Sequence, residues 1–248
     1  MKLNKKFRSP NFNVRKSKRL LFIVIHYTAI ENYKKAIMHL CNPENKVSSH
    51  FLISQKGNIY NLVDENKRAW HAGDAYWKKY TDLNSLSLGI ELDYSENKEN
   101  NTFSKKMINS LLVLLEELKN KYSINSNNIL GHSDIAPYRK IDPGPTFPWY
   151  KMYDYNLIVN SNLEESKINY LKKTLKKTLK KNNIKSTKDI ALFILSKIGY
   201  NTSKAKNEKK LFKKLILAYQ SHYLQSNYTG KIDKKTMNCL IKHYSLIY

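Results

Sequence analysis

A chain of 248 residues is long enough for one large or two small domains with a sizeable core, which excludes a miniprotein stapled by disulfides or a structural metal. A hydrophobic content of 41%, with 18 Tyr, 8 Phe and 3 Trp, excludes a disordered chain, and only 7 Gly and 6 Pro exclude collagen-like or linker composition. The net charge of +24 points towards an anionic partner, but five of the 44 basic residues are Arg, which leaves little for bidentate phosphate clamps or base reading.

Residues 1–17 read as a basic N-terminal extension. They carry the positive charge of a secretory leader, yet the apolar run Leu20 to Ile25 is six residues long and leads into His26-Tyr27 with no small-residue cleavage site, so it reads as a strand. Further strands are expected over His50–Ser54, Asn58–Val63 and Leu86–Leu92, with Gln55-Lys56-Gly57-Asn58 as a hairpin turn. Ser104 is placed to cap a long helix, because Met107, Ile108, Leu111, Leu112, Leu114, Leu115 and Leu118 follow at helical spacing until Asn120 to Tyr122. Strands interleaved with helices predict an α/β domain over 18–150, a central mixed β-sheet flanked by helices.

After Trp149 the composition shifts. Residues 151–248 hold 21 of the basic and 6 of the acidic residues, a net of +15 against +9 for the rest. A basic helical linker is expected over 151–186, where Leu171, Leu175 and Leu179 lie four apart among lysines. A small module of three helices is expected over 187–248, with helices at Thr187–Ile198 closed by Gly199, at Lys209–Leu224 and at Asp233–Tyr244. No segment approaches the roughly 18 apolar residues of a membrane span. Cys41 and Cys239 form no ligand pair and are expected as thiols.

Chemistry concentrates in three places. His26 ends a buried strand, where open α/β sheets place ligand-binding groups. The segment Gly131 to Pro145 packs an imidazole, a carboxylate and an ammonium between prolines and glycines, as a stiff surface-reaching loop does. Two histidines and a carboxylate suit a catalytic zinc, which keeps a fourth position for water and lowers its pKa to about 7. Glu91 interrupts an apolar strand; it is either a paired structural acid or, beside such a water, the general base.

Ile25-His26-Tyr27-Thr28, Ser48 to Ile53, Arg68 to Gly73, Leu88-Gly89-Ile90-Glu91-Leu92 and the Gly131–Pro145 loop, in this order, resemble the zinc-dependent N-acetylmuramoyl-L-alanine amidases of the type 2 amidase and peptidoglycan-recognition-protein superfamily. The resemblance implies one zinc ion per chain held by His26, His132 and Asp142, with Glu91 as the catalytic glutamate and Lys140 as the basic residue near the scissile carbonyl. His50 and His71 fall in family-like segments, and each either supports the site or touches substrate. Arg139 is either a solvated loop charge or a grip for a stem-peptide carboxylate. Trp70, Trp77 and Trp149 are core or a sugar-facing wall.

The C-terminal part resembles the peptidoglycan-binding domain that follows the catalytic domain in some members. The resemblance rests on Ile194 to Tyr200, Tyr219-Gln220 and Gly230-Lys231-Ile232-Asp233-Lys234-Lys235-Thr236. This order of domains is that of the periplasmic, anhydromuropeptide-tolerant amidases of Gram-negative bacteria. It implies peptidoglycan or muropeptides as partner and an envelope location. The absence of a visible leader or lipobox cysteine makes the cytoplasm the alternative location. Two other function classes compete: a non-catalytic recognition protein of the same fold, and a basic nucleic-acid-binding protein, for which no fingerprint segment is present.

Overall fold

The computed structural model describes residues 2–96, 102–157 and 165–247, without the side chains of 165–172. Close contacts divide it into two compact units, one of residues 1–75, 81–132 and 146–159, the other of 76–80, 133–145 and 160–248.

The first unit contains β1 (Leu3–Asn4), β2 (Phe12–Val14), β3 (Phe22–Tyr27), α1 (Tyr33–Cys41), β4 (Phe51–Ile53), β5 (Ile59–Asn61), β6 (Lys67–Ala69), α2 (Leu83–Leu86), β7 (Ser87–Leu92), α3 (Lys105–Tyr122) and β8 (Ile129–Gly131). The short α4 (His132–Ile135) follows directly and beyond His132 belongs to the second unit, while α5 (Trp149–Asp154) ends the first. Six strands form one mixed sheet in the order β1-β5-β4-β7-β3-β8, and β2 pairs antiparallel with β6 in a separate ribbon. β3 lies between β7 and β8 and parallel to both. A strand covered on both faces reads as a continuous apolar run, which is why Leu20 to Ile25 lacks polar alternation.

Residues 1–17, expected as a basic extension, instead supply two strands: Leu3 pairs with Ile59, and Asn13 with Arg68. Strands of two and three residues are too short to show a period. The β4–β5 hairpin forms as the sequence predicts, with Gly57 at φ +81° and its N–H donated to the Ser54 carbonyl at 2.9 Å.

Alternation assigns the two faces of the sheet. Ile23, Ile25, Phe51, Ile53, Leu88, Ile90 and Leu92 pack with the apolar stripe of α3, capped as expected by Ser104 Oγ accepting from Met107 N at 3.1 Å. Leu52 packs the opposite way, with Tyr60 and Leu62, on Ala36, Ile37 and Leu40 of α1. The register pairs His26 with Glu91 and Glu91 with Leu52, so both polar side chains belong to the α1 face, at the C-terminal ends of their strands.

In the second unit α7 (Thr187–Ile198), α8 (Lys209–Tyr223) and α9 (Lys234–Ile247) lie within a few residues of the three expected helices, and α6 (Glu165–Lys181) falls inside the 151–186 stretch expected as a basic helical linker. Leu175 and Leu179 of α6 are buried, which supports a packed helix with a solvated basic face; Leu171 lies outside the described side chains. Gly199 ends α7 at φ +142°, and a Cβ there would meet the Trp77 ring at 2.8 Å, so conformation and space both require glycine. The motif residues of this unit build its turns. Buried Gln220 accepts from the N–H groups of Thr229 and Gly230 at 3.0 and 2.7 Å and donates to Thr236 Oγ1 at 2.9 Å, while Asp233 Oδ1 accepts from Thr236 N at 2.8 Å. Among the described residues no helix is long and apolar enough to cross a membrane.

Candidate metal centre and active site

The α1 face of the sheet carries a row of imidazoles drawn from four distant stretches of chain. Ring centroids of His132 and His26 are 4.4 Å apart, those of His26 and His71 5.1 Å, and those of His71 and His50 5.6 Å, each pair edge to face. The row follows from the strand order: His26 rides on β3, His132 follows β8, His50 precedes β4, and His71 lies over Gly89 of β7.

At one end, His26, His132 and Asp142 are buried, and one ligand atom from each lies within 4.8 Å of the others, the arrangement of a site that can hold a metal ion. Nδ1 of His26 is 3.0 Å from Nδ1 of His132. The opposite nitrogen of each ring is engaged elsewhere, His26 Nε2 at 3.0 Å from His71 Nδ1 and His132 Nε2 at 3.2 Å from the Ala72 carbonyl. A carbonyl only accepts, so neutral His132 carries its proton on Nε2 and turns the Nδ1 lone pair inward. Two imidazole nitrogens and a carboxylate converging without sulfur are the donor set of a divalent transition metal with an open position.

His50 is wholly enclosed and has no atom left for substrate: Gly89 N donates to its Nδ1 at 3.0 Å, and its Nε2 reaches the Lys67 carbonyl at 3.1 Å. Its enclosure just before β4 speaks against the substrate-contacting alternative, and its bond to Gly89 makes it a brace for β7. His71, 8% exposed, is likewise spent on its neighbours at both nitrogens, at His26 and at Ser87 Oγ, 3.2 Å away. Arg15, also from the supposed extension, donates to the carbonyls of Asn84, Ser87, Glu65 and Lys67 and lies 2.8 Å from His50 Nε2.

Burial, reinforced by the Arg15 guanidinium, pushes the His50 pKa down to about 3, and burial does the same to His243 in the helical unit. Both rings stay neutral while folded and take up a proton on unfolding below about pH 6.5. Their folded pKa values lie below the unfolded ones, so the stability they confer is complete above pH 6.5 and drains as pH falls towards 3. Urea denaturation between pH 6.5 and 4 is expected to lose about 1.4 kcal/mol per pH unit for each such ring. Stability flat over that range would contradict neutral buried imidazoles.

Glu91, half-buried rather than enclosed, extends from β7 on the same face as His26. In the loop after β8, Ser133 N donates to the Asp142 carbonyl at 2.9 Å and Lys140 N to the Ala136 carbonyl at 3.0 Å, which closes the turn that carries Asp142. Lys140 and Arg139 are exposed on it. Trp77 and Trp149 are core, whereas Trp70 is half-buried and donates from Nε1 to Asn13 Oδ1.

The sequence reading passed over Asp134, whose carboxylate is fully buried in the second unit. It accepts from Tyr200 Oη and lies 2.7 Å from His222 Nδ1. The same unit holds Tyr138 at both ends, its hydroxyl donating to the Asn201 carbonyl at 2.5 Å and its carbonyl accepting from Lys214 Nζ at 2.8 Å. Tyr200→Phe removes one donor from a buried carboxylate and is expected to cost about 1–3 kcal/mol in urea denaturation. A loss below about 0.5 kcal/mol would mean that the hydroxyl contributes nothing there.

Comparison with known proteins bears directly on this site. A family model described as N-acetylmuramoyl-L-alanine amidase matches residues 16–145. The Escherichia coli N-acetylmuramoyl-L-alanine amidase AmiD is 30% identical over 231 residues, 88% of this chain and 80% of its own length. Its structure with the substrate anhydro-N-acetylmuramic acid-L-Ala-D-gamma-Glu-L-Lys superposes with a TM-score of 0.75 at 28% identity, covering 94% of this chain and 91% of that one. AmpDH3 from Pseudomonas aeruginosa superposes equally well, TM-score 0.75 at 27% identity, over 95% of this chain and 94% of its own. The 1,6-anhydro-N-acetylmuramyl-L-alanine amidase AmpD of Citrobacter freundii is 38% identical over 117 residues, 47% of this chain and 58% of its own length. With the matched span running from Lys16 through His26 and His132 to Pro145, and so including Asp142, this chain belongs to the N-acetylmuramoyl-L-alanine amidase family and is an amide hydrolase of that kind.

Proposed function

We propose that the protein uses one zinc ion, held by His26, His132 and Asp142, to hydrolyse the amide between the lactoyl group of N-acetylmuramic or 1,6-anhydro-N-acetylmuramic acid and L-alanine. The observation that carries this reading is the approach of two imidazole Nδ1 atoms to 3.0 Å beside a buried carboxylate, a juxtaposition that a cation relieves. Bound there, zinc polarises the scissile carbonyl and activates water for attack at neutral pH. The chain supplies the rest. Glu91 takes the proton of the attacking water and returns it to the leaving amine of L-alanine, so that the amine departs neutral. Lys140, on the exposed turn beside Asp142, donates to the oxyanion of the tetrahedral intermediate.

Lys140→Ala is expected to lower kcat by about a hundred- to a thousandfold while leaving KM within a few-fold, since the oxyanion is absent from the ground-state complex and develops only on the way to the tetrahedral intermediate. A rise in KM with kcat intact would instead make Lys140 a substrate grip. We assign Arg139 the looser task of attracting a stem-peptide carboxylate. The helical unit is proposed to hold peptidoglycan or its fragments, and the place of action to be the cell envelope, with subcellular fractionation as the check. The reaction itself is tested by mass spectrometry of an anhydromuropeptide digest. Free stem peptide and intact anhydro sugar are expected, whereas cleavage within the peptide would contradict the assignment.

A further inference from the structure

We propose that His71 and Ala72 form an orienting bracket that presents both histidine ligands to the metal, with His71 a positioning residue for His26. The proposal rests on the metal reading above for its function, but its geometry stands on its own. Ala72 offers its carbonyl to His132 Nε2 at 3.2 Å. His71, the residue before it, places its Nδ1 at 3.0 Å from His26 Nε2. One dipeptide thus holds the outer nitrogen of each ligand ring. Asn84 pins the dipeptide in turn, its Oδ1 accepting from the N–H groups of both residues at 3.0 and 2.7 Å.

The direction of the His71 bond follows from the far side of its ring. Ser87 Oγ donates its only proton to the Leu83 carbonyl at 2.6 Å, because a carbonyl cannot donate in return. The same oxygen, 3.2 Å from His71 Nε2, therefore accepts, and the His71 proton sits on Nε2. His71 Nδ1 is then a lone pair and accepts from His26 Nε2–H. That leaves the His26 lone pair on Nδ1, facing the Nδ1 of His132. The chain Leu83 to Ser87 to His71 to His26 thus fixes a tautomer at a distance, as the outer partners of metal-binding imidazoles do.

Gly89 completes the bracket for a reason of space. A Cβ built on it would lie 2.5 Å from His71 Cγ and 2.8 Å from His71 Nδ1, so the ring rests on the bare backbone of β7. Gly89→Ala should displace His71 and weaken metal binding along with it.

The test combines two readouts on the full chain. In metal-free protein, nitrogen-15 NMR of the histidine side chains should find His26 as the Nε2–H tautomer. Competition against a chelating indicator gives zinc affinity. His71→Leu should abolish the tautomer preference of His26 and weaken zinc binding by about 10- to 100-fold. His71→Gln should recover most of both, because a carboxamide also offers one acceptor and one donor. Ser87→Ala, which removes a single hydroxyl and keeps the fold's packing, should let His71 populate the other tautomer and lower zinc affinity in the same direction. An unchanged His26 tautomer and unchanged zinc affinity in His71→Leu, or in Ser87→Ala should the leucine variant fail to fold, would overturn the proposal. If wild-type protein binds no zinc at all, the metal reading fails, while the tautomer measured without metal still decides the bracket.

Discussion

Glu91→Gln is expected to lower kcat on an anhydromuropeptide by roughly 10²- to 10⁴-fold, the usual worth of a positioned general base, with zinc content and KM little changed. The parallel register sets Glu91 beside His26 on neighbouring strands, both on the face that packs against α1. Glutamine keeps the shape and a hydrogen-bonding oxygen but cannot take a proton. Turnover within about threefold of wild type would remove Glu91 from the chemistry and leave it a structural acid.

Asp142→Ala is expected to abolish tight zinc binding and to reduce hydrolysis by about 10³-fold or more, because the Lewis-acid contribution alone is worth several kcal/mol. Asp142 supplies the carboxylate of the cluster, which otherwise consists of His26 and His132 among the described residues. Its loss leaves two imidazoles turned towards each other with no counter-charge. The fold should survive, since Asp142 lies in a turn closed by backbone bonds of Ser133 and Lys140. Elemental analysis of the purified variant, beside circular dichroism, separates loss of metal from loss of structure. Stoichiometric zinc in Asp142→Ala would show that the ion is held elsewhere.

The candidate site was legible in part, where chemistry and local pattern coincide. A histidine at the end of an apolar strand, a glutamate inside one and a proline-bounded polar loop drew attention to His26, Glu91 and the Gly131–Pro145 segment, while the set His26, His132 and Asp142 came from the resemblance to the amidase family. The α3 stripe and the helices of the second unit were legible because eleven or more residues show a period. Short strands were legible only where a turn signal joined them, as between β4 and β5. β1, β2, β6 and β8 have two or three residues each, and their pairing depends on partners far along the chain, such as Leu3 with Ile59. The imidazole row needed the strand order itself: His50 and His71 look alike in sequence, and only the placement of β4 beside β7 shows that both are enclosed. Asp134 was hidden by its neighbours, a carboxylate in a loop already rich in chemistry, with its partners far along the chain, Tyr200 just beyond α7 and His222 in α8. The strong positive charge pointed to an anionic partner in general and could not separate a cell-wall fragment from nucleic acid; the amidase family match and the amidase relatives bear on that choice, and the charge does not.

The most direct test of the account is a titration of zinc into chelator-stripped wild-type protein while stem-peptide release from an anhydromuropeptide is followed. Activity should be absent without metal, rise linearly and reach its plateau at one zinc per chain, with Asp142→Ala inert throughout. Stripped protein that hydrolyses at the untreated rate would contradict a metal centre at His26, His132 and Asp142.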